Sequence, residues 1–291
     1  DIVLRLTDLQ NDQRSLRTGI AHETGLITSA YVTIRCLQNV ACPYYIHYYL
    51  HSFDISKGFY GMGDGVRQGL NYAGIRKIMM LIPPMKTQQQ IAAYLDKKCA
   101  LVERLIENQR RQIEKLKEYK QSVITETVTK GLDKTTSIKN SGNIYYPQIP
   151  SRWSIQKILS ILSMPITDGP HTTPQLLEDG IAFVSAEAIS CGNGHIDFSH
   201  IRGYISVEFY NECCKKYVPQ LDDIYMIKSG ATTGKVSIVD TLNPTFTIWS
   251  PLAVLRSNLK KCYPKFLFYG LQSTNFQKQV AFNWSYGTQQ N

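Results

Sequence analysis

The 291-residue sequence lacks the patterns that mark most enzymes and membrane proteins. No apolar run approaches the roughly 20 residues of a membrane span, and no secretory signal stands at the N-terminus. The seven cysteines are scattered without metal-ligand spacing, and an odd number without a disulfide framework favours reduced thiols in a cytoplasm. HExxH, paired CxxC and GxSxG motifs are all missing. These absences predict a cytoplasmic protein with no bound metal, no cofactor and no catalytic activity.

Two segments resemble enzyme motifs, but each lacks residues that the motif requires. Gly230–Val236 is similar to a phosphate-binding loop, but only three residues separate its glycines and valine follows the lysine where a hydroxyl must bind Mg²⁺. Asn243–Phe246 is similar to the Asn-Pro-Pro-Tyr/Phe tetrad of adenine methyltransferases, but threonine replaces the second proline and no glycine-rich cofactor loop precedes it. A proline-bearing turn is the favoured interpretation of that tetrad.

The charge balance points to an acidic partner. Lysine and arginine number 32 against 23 acidic residues, which gives a net charge of +9 and a pI near 9.1. Such a balance favours a polyanion without identifying it. The hydrophobic fraction of 43% is enough for two modest cores.

A long helix is the clearest local prediction. Two prolines at 83 and 84 block a helix from upstream, and Thr87 with Gln90 forms a capping-box pattern. Residues 88–130 contain neither glycine nor proline, and Gly131 stands where a left-handed cap is expected. At ~1.5 Å per residue this segment extends roughly 64 Å.

One face of this helix carries a coiled-coil seam with alternating steps of three and four residues. The apolar seam residues are Ile91, Leu95, Val102, Leu105, Leu116, Tyr119 and Val123. Polar residues also occupy seam positions, namely Lys98, Gln109 and Gln112, and three isoleucines at 106, 113 and 124 widen the apolar stripe. The helix is therefore expected to need a second spacer helix or a homodimer partner. The alternative is an ordinary amphipathic helix packed in a globular core.

Segments on either side of the helix repeat at offsets of 221 or 222 residues. The matching segments are Asp1–Leu4 with Asp223–Met226, Ser29–Arg35 with Ser250–Arg256, Pro43–Ser52 with Pro264–Ser273, and Gly65–Gln68 with Gly287–Gln290. Their common order and spacing predict a duplicated domain. Residues 1–85 match the later part of a copy whose earlier part lies at 148–222, so both copies are expected to be incomplete.

The predicted fold class is α/β (α+β), with two mixed, incomplete domains separated by a long coiled-coil-forming helix. The predicted organisation is 1–85 for the first domain, 86–131 for the helix, 132–147 for a polar linker and 148–291 for the second domain. Strands are predicted at Ile181–Ser185, Asp223–Ile227, Lys235–Val239 and Ala253–Arg256. Pro264–Ala281 is predicted to be a helix, and Pro43–Ser52 is its counterpart in the first copy.

Several segments resemble the specificity subunits of type I restriction-modification systems. The resemblance to their central spacer is carried by Ile82–Pro84, Gln88–Ala92, Tyr94–Asp96, Leu105–Ile106, Ile113–Leu116, Tyr119–Lys120 and Val128–Gly131. The resemblance to the start of their second target recognition domain is carried by Pro150–Trp153, Asp168–Pro174 and Gly180–Val184. It implies two target recognition domains on antiparallel helical spacers, each domain reading half of a split DNA target. Methylation and cleavage would belong to partner methyltransferase (modification) and restriction subunits. This sequence departs from the pattern by lacking the first half of one domain, the end of the other and the second spacer.

Polar and basic residues in the predicted loops are the candidates for contact with double-stranded DNA, since glutamine can pair with adenine and arginine with guanine. The candidates are Arg5, Asn11, Arg14, Arg17, Arg67, Gln68, Lys228, Ser229, Thr232, Thr233, Lys235, Tyr286, Gln289 and Gln290. Ordinary solvated loop polarity is the alternative for each, and Asp168 with His171 also fits a structural turn. Two other functions stay open: an interaction module that dimerises through the helix without binding DNA, and a recombination product or silent cassette that donates recognition halves.

Overall fold

The computed structural model describes residues 1–5, 7, 17–37, 39–62 and 72–282. It is a mixed α/β fold with several small sheets and one long helix, as the sequence predicts at this coarse level. The chain divides into two compact units, residues 1–112 (unit 1) and residues 113–291 (unit 2). The division falls inside the long helix.

Unit 1 is built on a three-stranded antiparallel sheet. Its elements are β1 (Ile2–Arg5), β2 (Thr18–Ile20), β3 (Tyr31–Ile34), α1 (Pro43–Ile55), α2 (Tyr72–Ile75) and the first part of α3 (Met85–Lys130). The strand order is β2-β1-β3. Residues alternate along β1, so that Ile2 and Leu4 are fully buried and pack against Ile46 and Leu50 of α1.

The long helix confirms the sequence prediction except at its start. It runs without interruption over 46 residues, and Gly131 follows it with a φ of +80°, the left-handed cap that the sequence predicts. The capping box predicted at Thr87 is wrong, because the helix begins at Met85. The amides of Thr87 and Gln88 donate to the carbonyl of Pro84 inside the first turn.

Gln88 holds the start of the long helix in unit 1. Its side chain is fully buried, and its Nε2 donates to the carbonyls of Val40 (3.0 Å) and Pro83 (2.7 Å). Its Oε1 accepts from the amide of Cys42 at 2.8 Å. One glutamine thus satisfies three backbone groups at the N-terminus of α1 and the start of α3.

The seam of the long helix is mostly accessible within the described residues. Leu95 is half-buried, and the remaining seam side chains, at 91, 102, 105, 116, 119 and 123, are exposed. The helix buries only Gln88 and Ala92. The alternative in which this helix lies inside a globular core is therefore wrong for each unit taken by itself.

Unit 2 contains three sheets. Its strands are β4 (Ile138–Asn140), β5 (Gln148–Pro150), β6 (Thr167–Asp168), β7 (Ile181–Val184), β8 (Tyr204–Ile205), β9 (Ile224–Ile227), β10 (Val236–Ile238), β11 (Phe246–Ile248) and β12 (Leu252–Leu255). Its helices besides α3 are α4 (Ala186–Cys191), α5 (Val207–Cys214), α6 (Pro264–Gln272) and α7 (Thr274–Phe282). The main sheet, β10-β9-β12-β6, is antiparallel, whereas β11 pairs in parallel with β7 in the sheet β11-β7-β8.

The four strands predicted in the second copy are confirmed as β7, β9, β10 and β12, with ends that differ by one or two residues. The single helix predicted over Pro264–Ala281 is wrong, because the chain breaks at Ser273 into α6 and α7. The Ser273 hydroxyl donates to the carbonyl of Gly270 and accepts from the amide of Phe276. The predicted linker contains β4, which pairs with β5.

Strand pairing places two of the repeated segments in equivalent positions. In unit 1, Ile2 on β1 lies opposite Ile34 on β3. Their counterparts in unit 2, Ile224 on β9 and Leu255 on β12, also lie opposite each other. The offsets are 222 and 221 residues, the same one-residue adjustment found in the sequence. The repeated pair Gly65–Gln68 and Gly287–Gln290 lies outside the described residues.

Both copies carry the same bidentate arginine–aspartate pair. Arg35 donates from Nε and Nη2 to the two carboxylate oxygens of Asp1 at 2.9 and 2.8 Å. At the equivalent positions, Arg256 donates from the same two nitrogens to Asp223 at 2.6 and 2.8 Å. In unit 2 the Tyr217 hydroxyl also donates to Asp223, at 2.5 Å. Burial raises the pKa of Tyr217, and the nearby Tyr225 and Asp223 raise it further, so its hydroxyl keeps the proton that it donates.

Candidate nucleic-acid interface

The predicted DNA-contacting residues are only partly covered by the structure. Arg5, Arg17, Lys228, Ser229, Thr232, Thr233 and Lys235 lie within the described residues. The others lie outside them, namely Asn11, Arg14, Arg67, Gln68, Tyr286, Gln289 and Gln290.

In unit 1, Arg17 is built into the fold. It is 2% exposed, its amide donates to Asp54, and its guanidinium donates from Nη1 to the carbonyl of Thr7. The guanidinium also stacks on the ring of Tyr60, 5.3 Å from the ring centre. A side chain held in this way supports the core and does not reach a ligand at the surface. This burial does not fit the DNA contact predicted for Arg17.

In unit 2, one turn brings five of the predicted residues together. Residues 228–235 connect β9 to β10, and glycines at 230 and 234 adopt positive φ angles of 96° and 89°. The Thr233 hydroxyl donates to the carbonyl of Gly230 at 2.7 Å, and the Gly234 amide donates to that of Ile227 at 2.8 Å. The turn presents hydroxyl and ammonium groups, which are hydrogen-bond donors to phosphate and base edges.

Next to this turn lies a cluster of Asp168, His171, Lys216 and Lys228, called here the Asp168 cluster. Lys216 and Lys228 donate from Nζ to different carboxylate oxygens of Asp168, each at 2.5 Å. The His171 Nε2 lies 3.1 Å from the same carboxylate. Burial alone would raise the pKa of Asp168, but the hydrogen bonds and charges of the two lysines outweigh it and lower the pKa to about 2. The carboxylate is therefore ionised at neutral pH.

Close backbone packing fixes the loop that carries Asp168. A Cβ atom added to Gly169 would lie 2.2 Å from the carbonyl oxygen of Ile248, so only glycine fits at this position. The amide of Lys228 donates to the carbonyl of Pro251 at 2.8 Å, which ties the end of β9 to the segment before β12. Both ends of the Asp168–Lys228 ion pair thus start from well-packed backbone.

Sequence reasoning missed two groups in unit 2. Lys216 follows α5, 48 residues from Asp168, and nothing in the local sequence distinguishes it from other lysines. The exposed Arg202 stacks on the indole of Trp249, 4.4 Å from the ring centre. The pKa of Glu187 is lowered mainly by the hydrogen bond from Ser185, and the charge of Arg202 adds to this effect. An arginine on an aromatic ring provides a flat cationic surface, a kind of group that bases and phosphates both contact.

Within the described ranges, no group of three or more His, Cys, Asp or Glu side chains is arranged to hold a metal ion. In the same part of the chain, no helix combines the length and apolar character needed to cross a membrane.

Comparisons with known proteins concern the fold. A chain in a structure described as the structural basis of complex assembly and conformational transition of the type I restriction-modification (R-M) system aligns with a TM-score of 0.63 and 17% identity. The alignment covers 95% of the present chain and 64% of that chain, so the present chain spans less than two thirds of its length. At this identity the match establishes the fold alone, and at that level it confirms the resemblance predicted from the sequence.

A type I R-M system S subunit from M. genitalium aligns with a TM-score of 0.39 and 12% identity, over 97% of the present chain and 66% of that chain. This TM-score is too low to support an argument. No protein-family model matches the sequence, and no curated protein matches it.

Proposed function

We propose that this chain belongs to a DNA sequence-specificity subunit of a type I restriction-modification system and reads a bipartite DNA target. The observation that carries the proposal is the fold similarity to a type I R-M system chain over 95% of the present chain. The internal duplication supports it, because two related domains joined by a helix suit a target with two halves. In this proposal both domains are target recognition domains and α3 is the spacer between them.

DNA recognition would combine phosphate contacts with base contacts. Lysine and arginine side chains supply affinity through phosphates, and polar side chains that reach base edges supply sequence choice. In unit 2 the turn over residues 228–235 and the Asp168 cluster next to it offer both kinds of group. The net charge of +9 agrees with a polyanionic partner.

The partners would dock on the long helix. Its exposed apolar seam suits a second helix, and the specificity role needs methyltransferase subunits and, through them, restriction subunits. The chain itself would be non-catalytic and would act in the cytoplasm, where its DNA target and partner subunits are found.

Sequence selection tests the proposal. The chain is purified with its methyltransferase partner and incubated with duplexes of randomised sequence at physiological salt, and bound duplexes are recovered by gel shift and sequenced. We expect enrichment of a split motif with a fixed gap. Equal recovery of all sequences would refute the specificity role, because phosphate contacts alone bind without sequence choice.

The exposed seam also favours a second candidate, a module that dimerises through α3 without binding DNA. Leu105 is 54% exposed at the centre of the seam, and its replacement by glutamate would place a charge in any helix–helix contact. Glu103 lies on the opposite face of the helix, so Glu103→Gln is the matched control. A dimer that sediments independently of salt, is lost in Leu105→Glu and shows no DNA affinity would establish this candidate instead.

A further inference from the structure

The Asp168 cluster draws charged groups from three separate elements of unit 2. Asp168 ends β6, Lys216 follows α5, and Lys228 follows β9. The two lysines are 48 and 60 residues away from Asp168 in sequence. Each ammonium uses one of its three donors on the carboxylate, on a different oxygen, so the remaining donors stay available. The fold has therefore assembled a lysine pair around one carboxylate.

The charge and exposure of the cluster suit a phosphodiester. Two ammonium groups and one carboxylate leave a net charge of +1, which balances the single negative charge of one backbone phosphate. The Asp168 side chain is 19% exposed, whereas those of Lys216 and Lys228 are 52% and 37% exposed. The carboxylate is thus more buried than the two lysine side chains that hold it. His171, with a 73% exposed side chain, lies at the edge of the cluster.

We propose that Asp168 is a positioning residue, which holds Lys216 and Lys228 in place to bind one phosphate group of the DNA backbone. This inference rests on the proposed function and names the DNA group that this part of unit 2 contacts. A free lysine side chain loses much rotamer freedom when it binds, and a lysine already held by a carboxylate loses less. The close packing of Gly169 against Ile248 keeps the carboxylate itself in place.

Replacing Asp168 with asparagine separates positioning from simple charge. The variant gains one positive charge, so electrostatic attraction alone predicts tighter binding to DNA. Positioning predicts weaker binding, because the lysines lose their common anchor. Asp240→Asn is the matched control for charge, since Asp240 is an exposed carboxylate of the same unit that pairs with His195 at 2.7 Å.

The measurement is fluorescence anisotropy of a labelled duplex of randomised sequence, titrated with the full chain bound to its methyltransferase partner at several KCl concentrations. We expect the Lys216→Ala/Lys228→Ala variant to reduce the magnitude of the slope of log K against log salt by about 0.9, the value for the one phosphate that the two lysines share. Lys215→Ala is the matched control for Lys216 because Lys215 pairs with Glu212 instead of Asp168. We expect Asp168→Asn to weaken binding roughly threefold or more, because the two lysine side chains must then be ordered on binding, and Asp240→Asn not to weaken it.

A double-mutant cycle distinguishes positioning from general unfolding. In a Lys216→Ala/Lys228→Ala background, Asp168→Asn is expected to cause no further loss of DNA affinity. If Asp168→Asn reduced DNA affinity equally in the unaltered chain and in the Lys216→Ala/Lys228→Ala variant, its role would be merely structural and the inference would be overturned. Binding of Asp168→Asn as tight as that of the unaltered chain, or tighter, would overturn it while leaving sequence-specific recognition intact. An unaltered chain without duplex affinity would overturn the inference and the proposed function together.

Discussion

The duplicated arginine–aspartate pair allows one interaction to be tested at two levels of burial. The Asp223 side chain is fully buried and that of Arg256 is 24% exposed, whereas those of Asp1 and Arg35 are 32% and 84% exposed. Removing one partner of a buried pair costs about 3–5 kcal/mol, because the other charge stays buried without compensation. An exposed pair contributes only about 0.2–1 kcal/mol.

We therefore expect Asp223→Ala to lower the free energy of unfolding of unit 2 by about 3 kcal/mol or more. Its carboxylate also accepts from the Tyr217 hydroxyl and the Gln220 amide, which lose their acceptor in the variant. Asp1→Ala is expected to cost unit 1 less than about 1 kcal/mol, although the two arginines bind their aspartates in the same bidentate geometry.

Urea unfolding can follow the two units separately. The three tryptophans, at 153, 249 and 284, all belong to residues 113–291, so their fluorescence reports unit 2. With a urea dependence of about 2 kcal/mol/M, a loss of about 3 kcal/mol lowers the midpoint by roughly 1.5 M. Hydrogen exchange of the amides in β1 and β3 reports unit 1. Similar losses for Asp223→Ala and Asp1→Ala would refute the reasoning, because burial would then not decide the energy of the pair.

Three further predictions concern other packed positions. Gln88→Ala leaves three backbone groups without their partner, so it is expected to destabilise unit 1 by about 1–3 kcal/mol in hydrogen exchange, whereas the exposed Gln89→Ala is expected to be neutral. Gly169→Ala forces its Cβ against backbone and should lower the free energy of unfolding of unit 2 by about 1–3 kcal/mol in urea unfolding. Gly270→Ala, inside α6 with open space around it, should raise that free energy by about 0.5–1 kcal/mol. A Gly270→Ala variant less stable than Gly169→Ala would contradict the packing described. Because the pKa of Asp168 falls from 3.8 to about 2 in the folded chain, its ionisation adds stability above pH 4 that is lost as the pH falls towards 2. Asp168→Asn should therefore reduce the loss of stability over that range in acid unfolding, and an unchanged profile would argue against the ion pairs.

The long helix could be predicted because its signals are local. The helix lies between two prolines and Gly131, and the stretch between them is periodic and unbroken. These local features set the ends of the helix almost without tertiary contacts. The start was misplaced because Thr87 and Gln90 match a capping pattern, yet the carbonyl of Pro84 already accepts the first helical amides. The strands β9 and β12 were predictable for a similar reason, since their apolar runs are almost fully buried.

The remaining strands and the site depend on contacts between distant residues. Strands β6 and β8 are two residues long, too short for any periodic pattern, and exist through pairing with β12 and β7. Five residues of the turn at 228–235 are among the predicted candidates because they are polar or basic and lie between two predicted strands. The role of Lys216 could not be found, because only the folded chain brings it to Asp168. The neighbours of Arg17, Asp54 and Tyr60, likewise meet it only in the folded chain.

The strand register of the repeated sheet has a practical consequence for redesigning the chain. Ile20 and Ile238 occupy equivalent positions on β2 and β10 at an offset of 218, whereas the flanking strands keep offsets of 222 and 221. The connection between the first two strands is thus four residues longer in one copy, and the pairing on either side is the same. A connection of different length at residues 228–235 is therefore expected to leave the pairing of β9 with β10 unchanged.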